Sequence, residues 1–293
     1  MNFGVEIEML GMNGRMLSEA TEAAGVGPTH NQGEVYGWHQ GPTIRRTDVG
    51  TTGAGWKVET DGSLTGNYGG WNNRGGLELI SPILKGIEAG MREVSRVCTQ
   101  INRRGAQVDR SCGTHITIGL DQMSRFTRCS TKKQTKIMMR IAEIYNHFQP
   151  CWDNLSPNVR RSEEDPNCLG RVDPSDPARS RYQFLNVTGF ITRGTVEFRQ
   201  PGFTTSAKKI GMWLRLSHAV VKAALNNNHP SFGVDLDTIP RNDMKAFLDF
   251  LAVDEKTRAD SISRVIELRD KFNGYKMERA QSLRSLWADL EEQ

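Results

Sequence analysis

From Phe3 to Leu10 the chain alternates strictly, with Phe3, Val5, Ile7 and Met9 on one side of an extended strand and Gly4, Glu6 and Glu8 on the other. Two carboxylates therefore share a face. A sheet whose second face meets water would explain them as well, but the arrangement recurs. Trp56 to Asp61 predicts a second strand, ending in the turn Asp61-Gly62-Ser63. Gly76 to Pro82 predicts a third, with Glu78 facing away from Leu77 and Leu79. Cys112 to Leu120 predicts a fourth, in which Ile116, Ile118 and Leu120 take the apolar side and His115 and Thr117 the other. Tyr182 to Phe190 and Gly194 to Gln200 read as a hairpin joined through Thr192-Arg193. In its second arm Val196 and Phe198 alternate with Thr195, Glu197 and Arg199, and Glu197 and Arg199 could simply pair with each other.

Helical spacing of apolar residues predicts helices over Gly14 to Ala24, Lys85 to Arg104, Thr131 to Phe148 and Ser206 to Asn226, the third ended by Pro150. The stretch from Asp243 to Glu292 is charged and its apolar spacing predicts helix. Three polar segments separate these elements. Thr29 to Gly55 holds His30, Tyr36, Trp38 and His39, aromatics that either wall a substrate or pin the loop to its own domain. Gly66, Gly69, Gly70, Gly75 and Gly76 crowd a second loop that lacks the P-loop pattern. Cys151 to Arg181 is turn-rich and carries five arginines from Arg160 to Arg181, and a loop this long points to a task such as covering a site.

Composition narrows the classes. At 293 residues and 37% hydrophobic, the chain can bury a substantial core. A net charge of +4 without a basic stripe does not favour nucleic acid as a partner. Five cysteines with no C-x-x-C pair imply reduced thiols in a cytoplasmic protein, and no secretory leader is expected. The most apolar stretch, Ile210 to Leu225, is broken by Arg215, His218 and Lys222, so a packed helix is expected there and no membrane span.

If the strands form one sheet, Glu6, Glu8, Glu78, His115 and Glu197 converge on one surface. Two carboxylates about 4 Å apart repel by roughly 4 kcal/mol at an effective dielectric near 20. Either cations bind there or the cluster does not form. Oxygen ligands with a single imidazole suit Mg²⁺ or Mn²⁺.

Five blocks then stand in order: Glu6-x-Glu8, Trp56-x-x-x-x-Asp61-Gly62-Ser63-Leu64, Glu78-Leu79-x-Ser81-Pro82, Cys112-Gly113-x-His115 and Gly194-Thr195-x-Glu197-Phe198-Arg199. Together they resemble the amidoligase family of carboxylate-amine ligases, which is similar to glutamate-cysteine ligase and glutamine synthetase. The resemblance covers about residues 3 to 225. It implies an α+β fold in which a curved antiparallel sheet, a glutamine-synthetase-like half-barrel flanked by helices, forms a floor for ATP and metal ions. On that basis residues 1–226 form the catalytic domain and 227–293 a helical extension packed on it. The resemblance makes Glu6, Glu8, Glu78, His115, Glu197 and Asp61 metal ligands, and Arg199 the arginine of the transferred phosphoryl group. Arg181, Arg160 and Asn186 resemble substrate- or phosphate-binding residues, while the role of Glu59 stays open. The implied reaction joins a small-molecule or peptide carboxylate to an amine through an acyl phosphate. A metal-dependent hydrolase or phosphotransferase using the same cluster, and a non-catalytic binding protein, are the alternatives. No oligomeric state is written in the pattern.

Overall fold

The computed structural model describes residues 1–30, 32–37, 55–61, 64, 76–109, 111–120, 124–156 and 180–271. The chain divides into two compact units, residues 1–122 with 201–211 and residues 123–200 with 212–293.

In the first unit β1 (Asn2–Met9) is an inner strand between β3 (Leu77–Ile80) and β5 (Thr114–Gly119). Outside β3 lies β2 (Lys57–Thr60), and β4 (Leu84–Lys85) pairs with the start of β1. All these pairings are antiparallel, as expected. Phe3, Val5, Ile7 and Met9 are buried and stand opposite Ile118, Ile116, Leu79 and Leu77. That apolar side is covered by α2 (Ile87–Arg103), whose Glu93 accepts a hydrogen bond from the Trp56 indole at 2.9 Å. The shorter α1 (Gly14–Ala23) is opened by Asn13, whose side chain accepts from the Met16 amide. The aromatic segment pins itself to the sheet at Tyr36, which bridges Glu59 in parallel and hydrogen-bonds His30 through its hydroxyl at 2.7 Å. Trp38 and His39 lie outside the described residues.

The second unit is mostly helical. It contains α3 (Ser124–Thr127), α4 (Thr131–His147), α5 (Gln149–Leu155), α6 (Phe190–Arg193), α7 (Ala207–Leu225) from Met212 onward, α8 (Met244–Phe250) and α9 (Glu255–Lys271). Its strands are β6 (Leu185–Asn186) and β7 (Thr195–Phe198), an antiparallel pair. An aromatic core joins Tyr145, Trp152, Trp213 and Phe247, with Trp152 stacked on Tyr145 at 4.8 Å and on Trp213 at 5.4 Å. The C-terminal helices belong to this core through Phe247 and Phe250, which meet Phe148 at 5.1 and 5.2 Å. Of the polar residues that interrupt α7, Arg215 is satisfied by α9, bonding Asp260 at 2.6 Å and Thr257 at 2.9 Å. Among the described residues no helix is long and apolar enough to cross a membrane.

Two local expectations are corrected. Pro150 does not open a loop; it sits in the first turn of α5, where a missing N–H breaks no helical bond, so residues 151–155 are helical. The hairpin arms are shorter than predicted, and the connection carries the helical turn α6, closed by Gly194 in the left-handed region. That turn buries Phe190 against Phe126, ring to ring at 5.1 Å, which a tight two-residue turn could not do.

α2 packs closely on the sheet at Gly90, where an added Cβ would lie 2.5 Å from the Phe3 ring. Gly90→Ala should therefore lower stability by about 1–3 kcal/mol, the range for overpacking, because the ring is buried and cannot yield. Gly4→Ala, whose Cβ would meet nothing nearer than 3.8 Å, should be neutral or slightly stabilising in the same urea titration.

Candidate active site

Antiparallel register decides which side chains share the second face of the first unit's sheet. Glu8 stands opposite Glu78 and Glu78 opposite Glu59, so three strands contribute carboxylates to one row. The adjacent row runs Lys57, Ile80, Glu6 and His115. Asp61 follows β2 in the same alternation as Lys57 and Glu59. This is not a water-facing surface. Glu8, Glu59, Glu78 and His115 are buried, while Glu6 is 31% exposed.

The imidazole of His115 lies between two acids, Nδ1 at 3.2 Å from Glu6 Oε2 and Nε2 at 3.5 Å from Glu8 Oε1. The Gly113 amide donates to Glu8 Oε2, and the Lys57 ammonium bonds Glu59 Oε1. Burial holds the Glu78 carboxyl well above the usual carboxylate range, and the charges of Glu6, Glu8 and Asp61 push it the same way. Glu78 thus holds a proton more tightly than an isolated carboxylate does.

Two groups of ligand atoms lie within 4.8 Å of one another, Glu6 with Glu78 and His115, and Glu8 with Asp61 and Glu78. Glu78 belongs to both. The Lys57 ammonium, the Gly113 amide and the raised proton affinity of Glu78 each relieve part of the repulsion, yet five acids, Glu6, Glu8, Glu59, Asp61 and Glu78, face one lysine and one imidazole. The residues present therefore fit a hard divalent cation, which supplies the missing positive charge and prefers carboxylate oxygen.

In the second unit Glu197 and Arg199 do pair, Arg199 Nη1 donating to Glu197 Oε1 at 2.6 Å. Asn186, opposite Glu197 in register, donates to its Oε2 at 2.6 Å. Arg181 lies over the Tyr182 ring at 4.8 Å and Arg199 at 6.0 Å, which places two guanidinium groups about one phenol. The end of β7 is fixed by Gln200, fully buried, whose side chain accepts from the Tyr145 hydroxyl at 2.7 Å and donates to Asp153 at 2.7 Å.

Thus Glu6, Glu8, Asp61, Glu78 and His115 come together in one unit, and Glu197, Arg199, Asn186 and Arg181 form a cluster in the other. Arg160 and the arginines from 161 to 179 lie outside the described residues. Sequence reasoning passed over Lys57, although the alternation that placed Glu59 also placed it, and over the Gly113 amide, which no side-chain pattern reveals.

The family model described as "Putative amidoligase enzyme" matches residues 1–165 and 159–221 of this chain. No curated protein matches it.

Folding raises the proton affinity of Glu78, so its contribution to stability is fully present below the range of a free carboxyl, about pH 4, and is lost as pH rises through the raised folded value. In metal-free protein the urea midpoint should accordingly fall as pH rises above that range, more in wild type than in Glu78→Gln. Added Mg²⁺ or Mn²⁺ should recover the wild-type midpoint at neutral pH. Parallel pH profiles for the two proteins would contradict the assignment.

Proposed function

The chain belongs to the amidoligase family, and from that premise we propose that it is an ATP-dependent carboxylate-amine ligase working through an acyl phosphate. Membership supports an enzyme that forms amide bonds. The observation that carries the finer reading is the pair of ligand groups sharing buried Glu78, a charge pattern suited to divalent ions and, through them, to a nucleotide's phosphates.

A carboxylate does not react with an amine directly, because its oxide is a poor leaving group. In the proposed sequence a carboxylate oxygen of the substrate attacks the γ-phosphorus of ATP, ADP leaves, and an acyl phosphate forms. The amine nitrogen then attacks the acyl carbon, the C–O bond to phosphate breaks, and the amine gives up a proton. Mg²⁺ or Mn²⁺ held by Glu6, Glu8, Asp61, Glu78 and His115 would neutralise and align phosphate oxygens. His115 Nδ1, hydrogen-bonded to Glu6, orients that carboxylate.

Arg199 supplies a guanidinium for the charge on the transferred phosphoryl group, a role resting on the family resemblance and on how firmly Glu197 holds it. Glu197 orients Arg199 and, by the same resemblance, adds a ligand. Arg181 and Asn186 are assigned to substrate or phosphate, Arg181 ordered by Tyr182 and Asn186 by Glu197. The substrates are a small-molecule or peptide carboxylate and an amine.

Incubation with Mg²⁺, ATP and a mixture of amino acids and peptides should yield an amide product with stoichiometric ADP. Product formed without ATP would instead favour a metal-dependent hydrolase. Glu6→Gln and Glu78→Gln should each lower ATP-dependent turnover by about a hundredfold or more, with circular dichroism unchanged. Arg199→Lys keeps the charge but loses the planar fork, and a comparable loss is expected; full turnover in Glu6→Gln would refute the assignment.

A further inference from the structure

Lys57 is an unexpected residue on a floor suited to cations. It shares the acidic face through the β2 alternation and stands in the row of Glu6 and His115. Its side chain is 12% exposed and its ammonium rests on Glu59, which is 1% exposed. Burying both charges is poorly rewarded in stability, because lost hydration offsets their attraction. The pair therefore calls for another explanation. Glu59 is placed to be a ligand, directly opposite Glu78, yet neither group of converging ligand atoms includes it. A carboxylate already holding an ammonium is a weak ligand, since an incoming divalent ion meets a positive charge at the same oxygen.

We propose that Lys57 is a positioning residue that serves as a resident cation of the site, neutralising Glu59, keeping it out of the ligand set and limiting the floor to the two ion positions that share Glu78. The inference rests on the metal-dependent reading above and deepens it. It accounts for Glu59, an acid that the ligand set does not use.

Mn²⁺ binding to the full chain without nucleotide, followed by electron paramagnetic resonance and calorimetry, tests this apart from turnover. Wild type should bind two ions. Lys57→Met, which removes the charge and keeps most of the stem, should bind a third ion or bind Mn²⁺ about tenfold more tightly. Adding Glu59→Gln to that variant should restore the wild-type isotherm, and Lys57→Arg should resemble wild type. A Lys57→Met isotherm identical to wild type would overturn the proposal while leaving the metal site intact, as would a double variant that keeps the third ion. A wild type that binds no Mn²⁺ would overturn the metal-dependent reading itself. If Lys57→Met does not fold, Glu59→Gln alone decides, because the uncovered ammonium should then weaken Mn²⁺ binding about tenfold, and unchanged affinity would overturn the proposal. A purely structural ion pair would shift the melting temperature of these variants and leave the ion count alone.

Discussion

The candidate site depends on β1 being an inner strand with two unlike faces. Burying Phe3, Val5, Ile7 and Met9 stabilises the first unit by roughly 1.5–3 kcal/mol for each large apolar side chain. A close pair of carboxylates at an effective dielectric near 20 opposes this by roughly 4 kcal/mol. The apolar face wins, and it carries Glu6 and Glu8 to the other side whether or not they are welcome there. A slip of one residue would exchange the faces, so the hydrophobic side fixes the position of the acids. Because β1 has neighbours on both flanks, Glu8 meets Glu78 on one side while Glu6 meets His115 on the other.

β7 obeys the same rule in the second unit. Val196 and Phe198 are buried, and Glu197 and Arg199 take the opposite parity. Charge alone would leave Arg199 free to wander, but Glu197 and the ring of Tyr182 restrict it, and buried Gln200 anchors the strand end through Tyr145 and Asp153. This network explains why a polar residue sits in an aromatic core. It couples α4 and α5 to the strand that presents the arginine, so a change at Asp153 would be felt at Arg199 without touching it.

Period-two alternation in the sequence was enough to place Glu6, Glu8, Glu78 and His115 on faces opposite their apolar neighbours, and the strand and helix positions followed with ends shifted by a few residues. Register was not legible, because the pairing of Glu8 with Glu78 and of Glu6 with His115 joins segments far apart in the chain. Glu59 shows the difference. Its face could be read, but its row with Glu78 and Glu8 and its bond to Lys57 could not. The helix predicted over 131–148 does end before Pro150, because proline breaks helix interiors, but the burial of Cys151, Trp152 and Leu155 favours a new helix with Pro150 in its first turn.

Two acids of the set are held by basic residues two positions away on their own strands, Glu59 by Lys57 and Glu197 by Arg199. The two pairs are not equivalent. An ammonium is a compact charge that competes with a metal ion for the same oxygen, whereas a guanidinium is broad and delocalised and retains further N–H groups for an anion. Glu197 engages Arg199 through one oxygen and Asn186 through the other, and each carboxylate oxygen still has a second lone pair. On the proposed reading Glu197 would orient an arginine and accept an ion at once, which Glu59 beneath Lys57 would do less readily. On that reading the same local pairing would have opposite consequences, silencing Glu59 and leaving Glu197 available, and the difference would lie in the cation rather than in the carboxylate.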